Sequence, residues 1–333
     1  MNIYDEIMAD IIADGITTPG HYLSRKSSVD PGCSTDCAVS SGDHLAHLLV
    51  PCSVVNQPKL SNWPTLRGFQ ISSRIINSVS YVVISAQNAH GTRLGKVSED
   101  ILLLVAHKAP RAASERKTAE SVIASIIELQ ELFASDRRPL SAEARVGLFA
   151  EMEVLRTWLI PRVGAEAAIN AWTGPKAAAQ DFQADSCAIE VKATRSSAPQ
   201  HIRISSERQL ETRNLNRLFL VRFSVDEKPA QGVSLPRAVD DIRSLLESHP
   251  LVLLEFNILL LRVGYLDDHA PQYLGELYAI RERYVYEVRE GFPRIIESQL
   301  PVGLGKVSYD VDSGACEPFA VLESVVTECL SGR

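Results

Sequence analysis

No apolar run in this sequence approaches the roughly 20 residues needed to cross a bilayer. The most apolar stretch, residues 251–261, is interrupted by Glu255 and Asn257. The first fifteen residues mix Asp5, Glu6, Asp10 and Asp14 with their apolar positions, so they lack the basic start and uninterrupted apolar stretch of a secretory signal. A soluble, unexported protein is the expectation. Cysteine is sparse: Cys33, Cys37, Cys52, Cys187, Cys316 and Cys329 are scattered over 333 residues. They form no disulfide framework by spacing, and Cys187 falls in a run that reads as a buried strand, which points to a reducing cytoplasm. Positive charge is also in deficit, with a net charge of −7. That excludes a protein that coats nucleic acid without selectivity, because phosphate binding needs clustered Lys and Arg. Internal repeats and low-complexity tracts are absent.

What remains is an ordinary globular composition, 45% hydrophobic, long enough for two or three packed units. Residues 1–112 alternate Ser/Gly/Pro-rich loops with β-like runs at 68–76, 80–84 and 101–105, and are expected to form a β-rich accessory domain. Apolar positions Val122, Ile123, Ile126, Ile127, Leu129, Leu132 and Phe133 then recur at helical spacing. That helix is read as leading into a core at residues 113–225. A second helix is expected at 141–159, then strands around Asp181 and at 188–194 and 201–205, a helix starting near Glu207, and a strand at 217–224. Helix, three strands, helix, strand is an α/β order, within a chain that is α+β overall. Residues 226–333 are read as an α+β extension packed on the core, with a helix near 238–248 and strands including 277–280 and 284–288.

Strict alternation in Ala188-Ile189-Glu190-Val191-Lys192-Ala193-Thr194 puts Glu190, Lys192 and Thr194 on one face of a strand, opposite Ile189, Val191 and Ala193. Asp181 precedes a turn-like stretch, so a hairpin can return its carboxylate beside Glu190. Two converging carboxylates suit a hard divalent cation such as Mg2+, for which Mn2+ can substitute. A backbone carbonyl, here that of Val191, and a phosphate oxygen would complete the protein and substrate ligands. Glu151 lies on the apolar stripe of the preceding helix, where a carboxylate is costly unless a cation or donors meet it, and so is a further candidate ligand. Glu153 is more simply a surface partner of Arg156. Gln209 can line the same site, although Ser206-x-x-Gln209 is also a capping-box spacing at a helix start. Trp172 before Gly-Pro reads better as a packing anchor than as a platform for a base.

Several stretches in order, Gly147-Leu148-Phe149-Ala150-Glu151, Ala171-Trp172-Thr173-Gly174-Pro175, Asp181-Phe182, residues 189–194 and residues 204–210, resemble a PD-(D/E)xK-motif family of bacterial restriction and phage-defence gene clusters. The similarity extends to Val263-Gly264-Tyr265, Phe292-Pro293-Arg294 and Val307-Ser308-Tyr309. The resemblance implies a restriction-endonuclease-like core, a mixed sheet flanked by helices. In it Asp181 and Glu190 bind the metal and Lys192 lies next to the attacking water. The proline of the motif's name is Gln180 here, a position that supplies no ligand.

The expected activity is metal-dependent hydrolysis of DNA. The alternative is a non-catalytic subunit of a defence complex that keeps the nuclease fold to bind DNA or partners. Possible partners are an ATPase, a methyltransferase or a second copy in a homodimer. Local charge supports DNA: between residues 192 and 222 there are seven basic residues against Glu207 and Glu211, an excess of +5. Arg195, His201, Arg203, Arg208 and Arg213 are the candidate phosphate contacts, with an exposed polar strand face as the simpler account of His201 and Arg203. A rival constellation, Cys33, Cys37, His44 and His47, has zinc-like spacing. Residues 43–51 read as a strand, however, which would send the two histidines to opposite faces.

Overall fold

The computed structural model describes residues 3–16, 21–27, 35–54, 57, 68–108, 115–134, 138–185, 187–195, 201–227 and 231–330. Two compact units divide between residues 136 and 137. The first holds helix α1 (Ile3–Ala13), strands β1 (Tyr22–Lys26), β2 (Asp36–Ser40), β3 (Leu45–Pro51), β4 (Phe69–Ile76) and β5 (Val79–Ala89), and helices α2 (Arg93–Lys108) and α3 (Glu115–Ala134). Its antiparallel sheet runs β1-β2-β3-β5-β4. The β4–β5 hairpin turns on Asn77 and Ser78, both at positive φ, the backbone that tight two-residue hairpins demand.

Two expectations change in this unit. Residues 101–105 are not a strand but lie within α2, whose Ile101, Leu102, Leu104 and Val105 are buried and which packs on β5 and β3. A short apolar run carries no period of its own, and its length and packing decide it. Helix α3 likewise packs against α2 and β3, so it belongs to the first unit, and the boundary falls 24 residues later than the expected 112.

The second unit begins with α4 (Ala142–Val154), which opens on Ser141 as N-cap, its hydroxyl accepting from Ala144 N. A π turn at Leu155–Leu159 carries the chain into α5 (Ile160–Val163) and then α6 (Ala165–Ala171). There follow β6 (Phe182–Ala184), β7 (Cys187–Thr194), β8 (His201–Ile204), β9 (Arg217–Glu227), α7 (Leu235–Leu245), α8 (Pro250–Arg262), α9 (Ala270–Tyr273), β10 (Tyr278–Glu287), β11 (Tyr309–Asp312) and α10 (Glu323–Leu330). The main sheet runs β10-β9-β7-β6. Strands β7 and β9 are parallel and the two outer pairings antiparallel, the expected mixed sheet.

Alternation along β7 divides the unit into two cores. Ile189 and Val191 join Phe219, Val221 and Phe223 of β9 against Leu148, Met152 and Trp158. On the opposite face, Ala188, Leu218, Leu220 and Tyr286 meet Ile202, Ile204 and Val311. Strand β8 therefore does not extend the main sheet. It pairs with β11 to cover that second face. Residues 277–280 and 284–288 prove to be one bulged strand, β10. No helix formed by the described residues is long and apolar enough to cross a membrane.

The helix expected near Glu207 is absent, and residues 207–210 form turns instead. Cys187 of β7 is paired as a disulfide with Cys329 of α10, 142 residues away, a pairing that spacing alone did not announce. Cys37, Cys52 and Cys316 are buried and outside any disulfide. Phe223, fully buried beside Trp158, is a direct probe of the first of these two cores. Phe223→Ala should cost about 3–5 kcal/mol in urea unfolding. A loss below about 1 kcal/mol would place the core elsewhere.

Candidate active site

The loop before β6 fixes Asp181 by its backbone. Thr173 N and Gly174 N both donate to the Asp181 carbonyl, at 2.8 and 2.9 Å. Glycine at 174 suits this approach, since a Cβ there would crowd Asp181, 3.2 Å from its Oδ1 and 3.3 Å from its Cα. Trp172 is fully buried against Phe256 and is an anchor, as expected. Its indole N–H also donates to Glu151 Oε2 at 2.6 Å, so the same loop orders a second carboxylate.

The β6–β7 hairpin then returns the chain so that Phe182 faces Ile189. Asp181 Oδ2 accepts from Val191 N at 2.7 Å, just beyond the end of the short β6. The N–H and C=O of one strand residue point to the same side, so the Val191 carbonyl faces the same open edge. On the sheet face shared with Ala188, Lys192 Nζ forms an ion pair with Glu190 Oε1 at 2.7 Å, and neither Glu190 oxygen accepts a hydrogen bond of ordinary geometry. Lys192 also donates to Gln209 Oε1 at 3.1 Å, and that oxygen accepts from Ser205 N at 2.8 Å. There is no helix here for the Ser206-x-x-Gln209 spacing to cap; Gln209 instead braces the turn through Ser205 N and contacts Lys192.

Burial dominates the electrostatics. Glu190 is 1% exposed, and desolvation, reinforced by the neighbouring Asp181, pushes its carboxyl up to about 8. Burial raises Asp181 too, against the opposing pull of the Val191 N–H and Lys192. Glu151 is held well above the ordinary carboxylate range by burial, with Asp181 and Glu190 adding to the shift. Three carboxylates that resist ionisation around one ammonium form a site short of positive charge. Asp181 Oδ1, Glu190 Oε2 and the Val191 carbonyl are oxygens of the kind a hard divalent cation takes, with Glu151 behind them. Glu151, Asp181 and Glu190 do not bring one oxygen each within 4.8 Å of the others. Among the described residues only Asp5, His90 and Glu99 form such a trio, in the first unit. There His90 Nδ1 bonds Glu99 at 2.7 Å and Lys96 lies 3.7 Å from Asp5.

Other candidates are dispersed. Glu153 is buried rather than on the surface, joining Arg156 at 2.8 Å and Arg283 at 2.9 Å. Each of three DNA candidates meets a carboxylate: Arg195 meets Glu143 and Glu227, Arg203 meets Asp310, and Arg208 meets Glu297. His201 and Arg213 are exposed. Arg222, part of the local basic excess, is buried with its guanidinium 4.2 Å from the centre of the Tyr284 ring. Sequence reasoning missed the partners of Asp181 in the 172–174 loop, the bonds of Gln180 to the Arg208 and Gln209 carbonyls, and Glu207, which accepts from Val307 N at 2.8 Å. Of the zinc-like set, Cys33 lies outside the described residues. His44 lies just before β3 at positive φ, whereas His47 is buried in β3, its two ring nitrogens bonded to the hydroxyls of Ser40 and Ser85.

A raised carboxyl makes folding bind protons. From the ordinary carboxylate range up to about 8, folded Glu190 keeps a proton that the unfolded chain has lost, so stability falls as pH rises through that window. Melting in EDTA should therefore weaken from about pH 5 to about pH 8.5, with a shallower slope in Glu190→Gln. Added Mg2+ or Mn2+ should stabilise the wild type most at the alkaline end and release protons on binding. A wild-type melting temperature that stays level or climbs over this range in EDTA would show the carboxylates to be ionised without a cation.

No curated protein and no solved structure matches this chain. The model of one protein family, described as "Putative PD-(D/E)XK family member, (DUF4420)", matches residues 37–313. That span contains every residue of the site just described, and the chain belongs to this PD-(D/E)XK family, with its restriction-endonuclease-like fold.

Proposed function

We propose that the protein is a divalent-metal-dependent endonuclease that hydrolyses phosphodiester bonds of DNA, in a restriction or phage-defence setting. What supports this reading is the placement of Asp181 and Glu190 beside Lys192, on β7 and the hairpin that leads into it, with burial raising both carboxyls above their ordinary range. A site meant only to bind DNA has no use for buried carboxylates, which repel phosphate unless a cation intervenes.

Asp181, Glu190 and the Val191 carbonyl would hold Mg2+ or Mn2+, with Glu151 as an outer or second ligand. The cation supplies Lewis-acid polarisation of a phosphate oxygen and lowers the pKa of water in its shell. Lys192 Nζ is a donor here, to Gln209 Oε1. It can orient the attacking water and offset the negative charge that builds on the phosphoryl oxygens as the new P–O bond forms and the bridging one breaks.

Arg195, Arg203 and Arg208 are paired with exposed or half-exposed carboxylates. Such surface pairs are worth about 0–1 kcal/mol, so DNA phosphates can displace the carboxylates at small cost.

The test is incubation of plasmid and linear DNA, methylated and unmethylated, with the protein and Mg2+ or Mn2+. Lys192→Ala should lower the cleavage rate about a hundredfold or more while leaving fold and most DNA affinity intact. Asp181→Ala should lose activity through metal affinity, so high Mn2+ should partly rescue it and should not rescue Lys192→Ala. Wild-type protein that cuts none of these substrates, alone or with an ATPase or methyltransferase partner, would favour a binding subunit that retains the fold.

A further inference from the structure

The turn that delivers Gln209 to Lys192 has no helix to stiffen it, and its backbone is tied down by side chains from elsewhere. One of them belongs to the residue immediately before Asp181. Gln180 is 6% exposed, and its Nε2 donates to the carbonyls of both Arg208 and Gln209, at 3.0 and 3.2 Å. Its own carbonyl accepts from Thr173 Oγ1 at 3.1 Å, within the loop that holds Asp181. A single residue therefore fastens the Asp181 loop to the backbone of the 208–209 turn. From that turn the Gln209 carboxamide reaches Lys192 Nζ.

We infer that Gln180 is a positioning residue: by clamping the carbonyls of residues 208 and 209 it holds Gln209 Oε1 as an acceptor for Lys192, and so sets the direction of the Lys192 ammonium. Proline, which names this position in the motif, carries no side-chain donor and could not make either bond. The departure from the motif is thus matched by a contact that only a side-chain donor permits. An ammonium has three N–H donors; that of Lys192 is ion-paired with Glu190 and donates to Gln209 Oε1, keeping a further donor for the reaction. Without the Gln209 acceptor, Lys192 is free to turn about its contact with Glu190, and the remaining donor loses its aim. The other ties on this turn, Glu207 to Val307 N and Arg294 Nη1 to the Leu210 carbonyl, flank Gln209 but do not touch its carbonyl.

This inference rests on the nuclease reading for its rate arm and is independent of it for its spectroscopic arm. Gln180→Ala and the near-isosteric Gln180→Glu remove the donor, and each is combined with Gln209→Ala. On DNA with Mg2+, Gln180→Ala should lower kcat about tenfold to a hundredfold, the scale of a misplacement near 1 Å, with KM and metal affinity unchanged. In the Gln209→Ala background it should cost nothing more, because it acts through Gln209. In metal-free protein labelled with 15N at lysine Nζ, with the Lys192 signal assigned from Lys192→Arg, Gln180→Ala and Gln209→Ala should move that signal alike and the double variant no further. Full activity in Gln180→Ala, or losses that add to those of Gln209→Ala, would overturn the clamp. So would a Lys192 signal unmoved by Gln180→Ala. Should Gln180→Ala fail to fold, Gln180→Glu, which keeps the volume, decides by the same readouts. If the wild type cuts nothing, the nuclease reading falls and the lysine signal still decides the clamp.

Discussion

Asp181 is gripped at both ends, and the rest of the site is arranged around that grip. Its carbonyl takes two backbone N–H groups from the 173–174 loop and its carboxylate takes a third from Val191. A buried carboxylate costs several kcal/mol if it is left without donors, so these bonds make its position tolerable. They also decide the place of Glu190, because the hairpin that brings Val191 to Asp181 puts Glu190 next to it. The result is a concentration of latent negative charge that the single ammonium of Lys192 does not balance. A divalent cation is the natural completion of such a group, and the raised carboxyls describe the same deficit from the proton's side.

Much of this was legible in the residues themselves. The alternation through residues 188–194 announced a strand with Glu190 and Lys192 on one face, and the hydrophobic halves of that alternation do separate into two cores. The turn-like stretch after Asp181 announced the hairpin. Glu151 on an apolar stripe demanded a donor, and Trp172 provides it. In each case one short-range pattern sufficed, because the period of a strand or helix fixes which side chains share a face.

What was not legible depended on distant partners. A helix beginning at Glu207 is locally reasonable, yet the Glu207 carboxylate is drawn to the backbone N–H of Val307, a hundred residues on, and the segment stays a turn. Residues 101–105 carry β-branched side chains but are buried as part of a helix lying on β3 and β5. The arginines between 195 and 208 looked like a surplus of charge only because their carboxylate partners, Glu143, Glu227, Glu297 and Asp310, lie far off in sequence. Gln180 was noted as a missing proline. Its bonds to the 208 and 209 carbonyls required the turn to be in place.

That turn has a consequence for how the protein comes into being. Asp181, Glu190 and Lys192 lie within a dozen residues and can meet as soon as their hairpin forms. The segment carrying Gln209 is anchored by Arg294, Lys306 and Val307, and the first core closes with Val326 and Leu330 of the last helix. A chain emerging from the ribosome therefore presents its acidic pair early, but it cannot brace the turn beside the lysine until residues 294–307 have been made. Nascent fragments carry the acidic pair without the braced turn, and the order of synthesis delays the finished arrangement until those later residues are in place.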